Sequence, residues 1–429
     1  MWNTERSSRR SVCRYLVAVL LWTSQPLAAQ EPEPLTLSAA LDAARENNPL
    51  VRAAAFRIQE ADGNLTQAAI LLVSNPEVSA FRGRRSNGSG AGGFSREFEL
   101  GIEQQIEIAG QRGKRIGVAR AEMEAVQGER SNTERTVALA VATTFYEVLA
   151  SQERLELAER GVQLSQELLD LAQRRLDAGI GTPLEVNAAI VRLAESRRAA
   201  FAEVRKNGEA RILMRRLLGL PPGGPLALDG TLPSEVVVVR AEEMVARALN
   251  QRPDLGSAGH RIDAASASAD LAGAQAWPDI AVDASFAREE GQDLLMAGVS
   301  IPLSLFNRNQ GGRASARAAL QTEVALRDDL ALAIEAEARG SILAYQQAGA
   351  AIDLYDGEVL RAQQESLGLV QVAAEAGELS IADVLVVQRE LLDGLAGYLD
   401  ARLELATARA HLLAAAALPQ TTDLNGEIR

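Results

Sequence analysis

Aromatic side chains make up only 4% of this sequence, which holds one cysteine and two histidines among 429 residues. So few aromatics leave the chain short of the groups that usually fill large compact cores, which argues against a single big globule. Cys13 is the only thiol and precedes an apolar run instead of following it, so no disulfide, cysteine-ligated metal or acyl anchor is expected downstream. His260 and His411 lie far apart within helical patterns, and a histidine-based metal site is not expected. Positive charge is in deficit: 44 Lys and Arg against 57 Asp and Glu give −13, which disfavours nucleic-acid binding. Long hydrophobic runs are missing too. Tyr15–Trp22 is too short for a spanning helix of roughly 20 residues, and no other charge-free run of that length occurs, so a helical inner-membrane protein is excluded.

What the chain does have is alanine combined with Leu, Glu, Arg and Gln, a mixture that favours long helices in shallow contact. Residues 1–29 read as a signal peptide: Arg6, Arg9, Arg10 and Arg14 against Glu5, the apolar run, then Gln25-Pro-Leu-Ala-Ala29. Their removal would leave −16. Ser8-Arg9-Arg10-Ser11-Val12 resembles a twin-arginine signal, although the general secretion route is the expected one.

An internal repeat organises the remainder. Asn48-Pro49 and Arg57-Ile58 recur 204 positions later as Arg252-Pro253 and Arg261-Ile262; Ala178-Gly179, Val186 and Leu220-Pro221 recur 198 positions later as Ala376-Gly377, Val384 and Leu418-Pro419. The expected divisions are a linker 30–36, repeat 1 over 37–233, repeat 2 over 234–419 and a tail 420–429.

Each repeat opens with a helical stretch, 37–73 and 240–275, and then changes period. Phe98, Leu100, Ile102, Ile106 and Ile108 alternate with Glu97, Glu99, Glu103 and Glu107, while Ile280, Val282, Ala284 and Phe286 alternate with polar or small residues. Two strand hairpins are predicted, within 77–108 and 279–305, around the turns Ser86–Gly93 and Glu289–Asp293. No proline occurs from 77 to 182 or from 303 to 418. The run 112–178 would measure about 100 Å as one helix, and 313–376 nearly as much. Apolar residues such as Leu155, Val162, Leu168 and Leu176 sit among Glu, Arg and Gln as coiled-coil-like packing requires. Breaks at Gly179–Pro183 and Gly377–Ser380 precede returning helices, so helical hairpins are expected over 112–218 and 313–417.

Four strands cannot close a barrel, and two isolated hairpins leave open edges that invite pairing with other chains. Either three copies supply twelve strands to a bilayer-spanning barrel, or the strands form a small soluble sheet at one end of a coiled coil. Periodicity leaves both open. The acidic positions Glu97, Glu99, Glu103 and Glu107 would line a water-filled lumen favouring cations in the first case and form an ordinary solvated face in the second.

The duplicated plan is joined by Leu35-Thr-Leu-Ser-Ala-Ala-Leu-Asp-Ala-Ala-Arg-Glu-Asn-Asn-Pro49, by the strand exit Gln104-Gln-Ile-Glu-Ile-Ala-Gly-Gln-Arg-Gly-Lys-Arg115 and by Ser300-Ile-Pro-Leu-Ser-Leu-Phe306. With the tips Ala178-Gly-Ile-Gly-Thr-Pro-Leu-Glu185 and Ala376-Gly-Glu-Leu-Ser-Ile-Ala-Asp383, this order resembles the outer-membrane efflux protein family over nearly all of 35–419. The resemblance implies a mainly α protein with a small membrane β part: a homotrimer with a twelve-stranded barrel in the outer membrane lipid and an α-helical tunnel through the periplasm. It also implies a periplasmic adaptor and an inner-membrane efflux pump as partners, with no nucleic acid and no cofactor. At the tips, Gly179, Thr182, Glu185, Gly377, Ser380 and Asp383 would close the tunnel and meet the adaptor, although acidic residues in a first helical turn are also favoured by the helix dipole alone. Val386 and Leu379 stand where the best-known members carry an aspartate and an arginine, so gate contacts do not transfer. The strand exit is closer to the branch serving heavy-metal pumps.

Gly88-Ser-Gly-Ala-Gly-Gly93 has dinucleotide-fingerprint spacing but is followed by a strand, and Gly110–Arg115 lacks phosphate-loop spacing. No nucleophile and base pattern suggests an enzyme. The rival reading is a periplasmic coiled-coil adaptor or scaffold without a pore, which the two tandem hairpins disfavour.

Overall fold

The computed structural model describes residues 34–86, 94–289, 291–355 and 357–424. The proposed signal peptide, most of the linker, the glycine-rich turn 87–93, Glu290 and the last residues of the tail lie outside them. Helices dominate, joined by one small sheet.

The first helical stretch is two helices, α1 (Leu37–Asn47) and α2 (Pro49–Ala69), where one was expected; the corresponding stretch later in the chain likewise divides into α5 (Ala241–Gln251) and α6 (Pro253–Ala274). The reason is the proline at each break. Its ring disfavours helical geometry in the preceding residue, and Asn48 and Arg252 take ψ values of 126° and 125°. Asn48 is buried; its side chain accepts from Leu50 N–H at 2.8 Å and donates to the Leu217 carbonyl at 2.8 Å. Arg252 is buried as well but does not cap α6; it donates to Asp254 at 2.6 Å and to Glu337 at 2.6 Å, and Asp254 in turn accepts from Leu255 N–H at 3.1 Å.

Four strands, β1 (Glu77–Ser86), β2 (Phe94–Ile106), β3 (Ile280–Glu289) and β4 (Gln292–Ser300), form one antiparallel sheet in chain order. The hairpins are therefore not isolated: β2 pairs with β3 from Phe98 opposite Arg288 to Ile106 opposite Ile280. β4 stops at Ser300, short of the expected 305, and Pro302 just beyond it has no N–H for a ladder.

From the sheet, α3 runs unbroken from Gln111 to Asp177, 67 residues, and returns as α4 (Pro183–Leu217). Its later counterpart is interrupted: α7 (Gln310–Asp353) ends before α8 (Gly357–Ala376), and α9 (Ile381–Ala415) returns. The expected single run 313–376 fails at Asp353-Leu-Tyr-Asp-Gly357, where α3 has the strong helix formers Leu155-Glu-Leu-Ala-Glu159 198 positions earlier. Tyr355 leaves the helical path with its N–H on the Ile352 carbonyl at 2.9 Å, and its ring packs 5.5 Å from that of Tyr398 on α9.

Burial is concentrated in three clusters. Phe145, Val148, Met214 and Leu218 join α1, α3 and α4; Ile334, Tyr345, Leu405 and Leu412 join α5, α7 and α9; Leu168, Ala172, Val186, Ala374 and Val384 hold the far ends of the hairpins together. Alanine lets helices approach closely between these anchors. Glycine does so once more on α3, where a Cβ at Gly128 would stand 2.9 Å from Cβ of Ser257 on α6. The Ser257 hydroxyl donates across that crossing to the Ala125 carbonyl at 2.8 Å.

Candidate functional site

Two regions carry the residues singled out by sequence, the hairpin tips and the sheet. At the first tip α3 ends in a reversal: Gly179 N–H donates to Leu176 O and Ile180 N–H to Arg175 O, with Gly179 at φ +74°. The second tip repeats it, with Glu378 N–H on Ala373 O and Gly377 at φ +79°. Glycine is favoured at both positions because a Cβ is strained there.

The returning helices start with reciprocal caps. Thr182 Oγ1 accepts from Glu185 N–H at 3.3 Å and Glu185 Oε2 accepts from Thr182 N–H at 2.9 Å. Ser380 and Asp383 do the same at 3.2 and 3.4 Å, and the Ser380 hydroxyl adds a 2.6 Å bond to the Asp383 carboxylate. All six tip residues therefore have local structural roles in the reversals and caps. The two tips are neighbours: a Cβ on Gly377 would lie 3.6 Å from the Arg175 guanidinium of the first hairpin. Ile180 and Leu184 lie within the first tip without being among the site residues expected from sequence, and these large apolar side chains are 69% and 77% exposed. Their signal was present, since both sit within the glycine and capping pattern with no apolar period to bury them.

The register divides the sheet into two chemically distinct faces. One presents Val78, Ala80, Phe98, Leu100, Ile102, Ile106, Val282, Phe286, Leu295 and Val299, with Phe98 and Phe286 edge-to-face at 6.1 Å. The other carries Glu77, Glu97, Glu99, Glu103, Asp283 and Glu289 against Arg85, together with small residues and Phe81, Leu294 and Met296. Arg85 pairs with Glu97 at 2.8 Å. Glu103 lies directly opposite Glu77 on one side and Asp283 on the other, so three carboxylates stand in a row across β1, β2 and β3. Like charges directly opposite are destabilising, and neither Glu77 nor Asp283 was anticipated from sequence; only the register brings them to Glu103.

Glu107 departs from the expected acidic strand. It follows the end of β2 and pairs with Arg115 at the start of α3. The strand exit is a mechanical joint: Arg112 donates twice to the Ala69 carbonyl at the end of α2, Lys114 pairs with Asp270 and buried Gln111 donates to Asp279 at 2.9 Å. These basic groups satisfy helix-end carbonyls and carboxylates around the junction of sheet and helices.

Residues 40–220 and 244–418 match the profile of the family described as "Outer membrane efflux protein". The chain belongs to this family. Its members are outer-membrane exit ducts that work with a periplasmic adaptor and an inner-membrane pump, and they are not enzymes. The rival account as a pore-less adaptor is thereby set aside. Among relatives of this efflux protein, the cobalt-zinc-cadmium resistance protein CzcC of Cupriavidus metallidurans is 27% identical over 376 residues, covering 85% of this chain and 86% of its own. The solved channel MtrE of Neisseria gonorrhoeae, in an open state, superposes with TM-score 0.73 at 19% identity, covering 90% of each chain. VceC of Vibrio cholerae gives 0.72 at 18% identity over 89% of this chain and 95% of its own. At these identities the superpositions establish the shared fold.

Proposed function

We propose that this efflux protein assembles as a homotrimer in the outer membrane of a Gram-negative bacterium, where it closes a twelve-stranded barrel continued by a helical tunnel through the periplasm. Substrate handed over by the pump and adaptor passes through it passively. The observation that carries this reading is the sheet itself. Its strands are 10, 13, 10 and 9 residues long, close to the 9–11 or so that a tilted transmembrane strand needs, and one face is an apolar band. Within one protomer the outer edges of β1 and β4 are left for pairing with neighbouring copies. Closure is what a membrane demands of a sheet, because unpaired backbone groups in hydrocarbon cost several kcal/mol each.

The acidic face then lines the lumen. In a trimer the row Glu77, Glu103 and Asp283 repeats three times around the barrel as a belt of carboxylates, which favours cations and explains why like charges are kept opposite one another. A divalent metal cation is the cargo class that fits both this belt and the kinship with a cobalt-zinc-cadmium resistance protein. Residues 1–29 serve as the export signal, and 37–233 and 234–419 as tandem repeats. Gly179, Thr182, Glu185, Gly377, Ser380 and Asp383 shape the periplasmic tips, where Ile180 and Leu184 offer the adaptor an apolar contact. Fractionation tests the assembly: the mature protein is expected in the outer membrane as a heat-sensitive trimer on electrophoresis, and a protein found only in the soluble periplasmic fraction would contradict it.

A further inference from the structure

The apolar face of the sheet ends, toward the strand turns, in arginine. Arg82, Arg84, Arg96 and Arg288 all lie on that face, and all are exposed. Arg84 is directly opposite Arg96; Arg82 and Arg288 are both opposite Phe98, one step along β2, which makes each a diagonal neighbour of Arg96. Directly opposed side chains have Cβ atoms about 5 Å apart and diagonal ones about 7–8 Å. Four guanidinium groups thus crowd three adjacent strands.

Only one carboxylate on this face answers them among the described residues: Asp293 on β4, engaged by Arg288 with bonds of 2.5 and 2.9 Å. Arg82, Arg84 and Arg96 have no carboxylate partner among the described residues. The opposite face at the same level carries Glu97, Glu99 and Glu289. At this level only Asp293 among the described acids shares the arginine face, and only Arg85 among the arginines shares the acidic one.

Depth identifies the counter-ion. On β2, Phe98, Leu100, Ile102 and Ile106, with Gln104 before the last, extend about 26 Å along the strand, which at a tilt of about 40° is about 20 Å of height, most of the apolar band of about 25 Å on an outer-membrane barrel. The arginines begin where that band ends, at head-group depth. Guanidinium groups match phosphate oxygens bidentately. Resting on the barrel reading above, we propose that Arg82, Arg84 and Arg96 form a binding site for the phosphate groups of lipid head groups in the leaflet at the turn end of the sheet.

The test uses the full chain extracted from outer membranes in mild detergent. Delipidated protein is given either a bis-phosphorylated glycolipid or the same lipid with its phosphates removed, and bound lipid and the melting midpoint of the heat-sensitive oligomer are read. The phosphorylated lipid is expected to bind and raise the midpoint, the dephosphorylated one to do neither, and millimolar inorganic phosphate to leave the midpoint unchanged. Each of Arg82→Gln, Arg84→Gln and Arg96→Gln is expected to weaken lipid retention about fivefold, while Arg313→Gln on α7 leaves it unchanged. Equal binding of both lipids overturns the proposal using wild-type protein alone, even if no variant folds. Stabilisation by free phosphate to the same extent overturns the lipid assignment. A wild-type protein absent from the outer membrane defeats the barrel reading first; a channel-forming protein indifferent to lipid phosphate defeats this site only.

Discussion

Glu185 holds the backbone N–H of Thr182 at 2.9 Å while the Thr182 hydroxyl holds that of Glu185 at 3.3 Å. The carboxylate at the first tip is therefore a helix cap before it is an entrance charge, and Asp383 stands in the same relation to Ser380. A substitution can separate the two roles. Glu185→Gln keeps a side chain able to close a capping box and removes only the charge, whereas Glu185→Ala removes both and should cost about 1 kcal/mol locally. If the charge contributes to conduction, Gln and Ala should alter single-channel conductance alike; if only the cap matters, Gln should match wild type while amide exchange in the first turn of α4 rises with Ala alone.

The first tip's exposed apolar pair predicts a coupling defect without a folding defect. Ile180→Asp combined with Leu184→Asp should leave the heat-sensitive trimer and its conductance intact. Cross-linking to the adaptor in cells should fall at least tenfold, an order-of-magnitude expectation for losing two exposed interface anchors. Unchanged cross-linking would remove these residues from the contact.

The buried Arg252 cluster predicts sensitivity to acid. Burial would raise the Asp254 pKa, but hydrogen bonds from Arg252 and the attraction of Arg252 and Arg135 outweigh it and hold the carboxyl below its ordinary value. A depressed carboxylate contributes stability at and above its unfolded-state pKa, which is lost as pH falls through the folded value. The contribution should thus be full at neutral pH and disappear only below the usual carboxylate range. Asp254→Asn should destabilise by about 3 kcal/mol at pH 7, a difference that shrinks in acid. Denaturation midpoints across pH check both the size and the sign.

The α3–α6 crossing predicts a steric limit. Gly128→Val would place a Cβ 2.9 Å from Ser257 Cβ, and such overpacking typically costs about 1–3 kcal/mol. Thermal unfolding should show this loss, and Gly128→Ala a smaller one. No loss in either would mean that the helices separate freely at this point.

Much of this architecture was legible in the sequence because its signals are local. Alternation over 97–108 specifies a strand, which the structure ends at Ile106, and Gly179 with Thr182 and Glu185 specifies a reversal and a cap. What escaped was set by distant pairing or by a single neighbour. Pro49 and Pro253 split helices whose apolar period runs straight through them, and Tyr355 leaves α7 for Tyr398, 43 residues away. Glu107 shares the parity of the strand acids, yet its partner Arg115 is on a helix. The carboxylate row is the clearest case: Glu77, Glu103 and Asp283 meet only through the β1–β2 and β2–β3 registers, and no spacing within the chain encodes the second of these.

Whether this chain forms a duct with a carboxylate-lined barrel is tested most directly by reversal potentials of the purified trimer in planar bilayers under a salt gradient. Discrete channels selective for cations are predicted, with selectivity reduced in the combined variant Glu77→Gln, Glu103→Gln and Asp283→Asn while the trimer persists. Absence of channels from correctly folded trimers would contradict the duct, and channels whose selectivity ignores these three carboxylates would contradict the lumen assigned to that face.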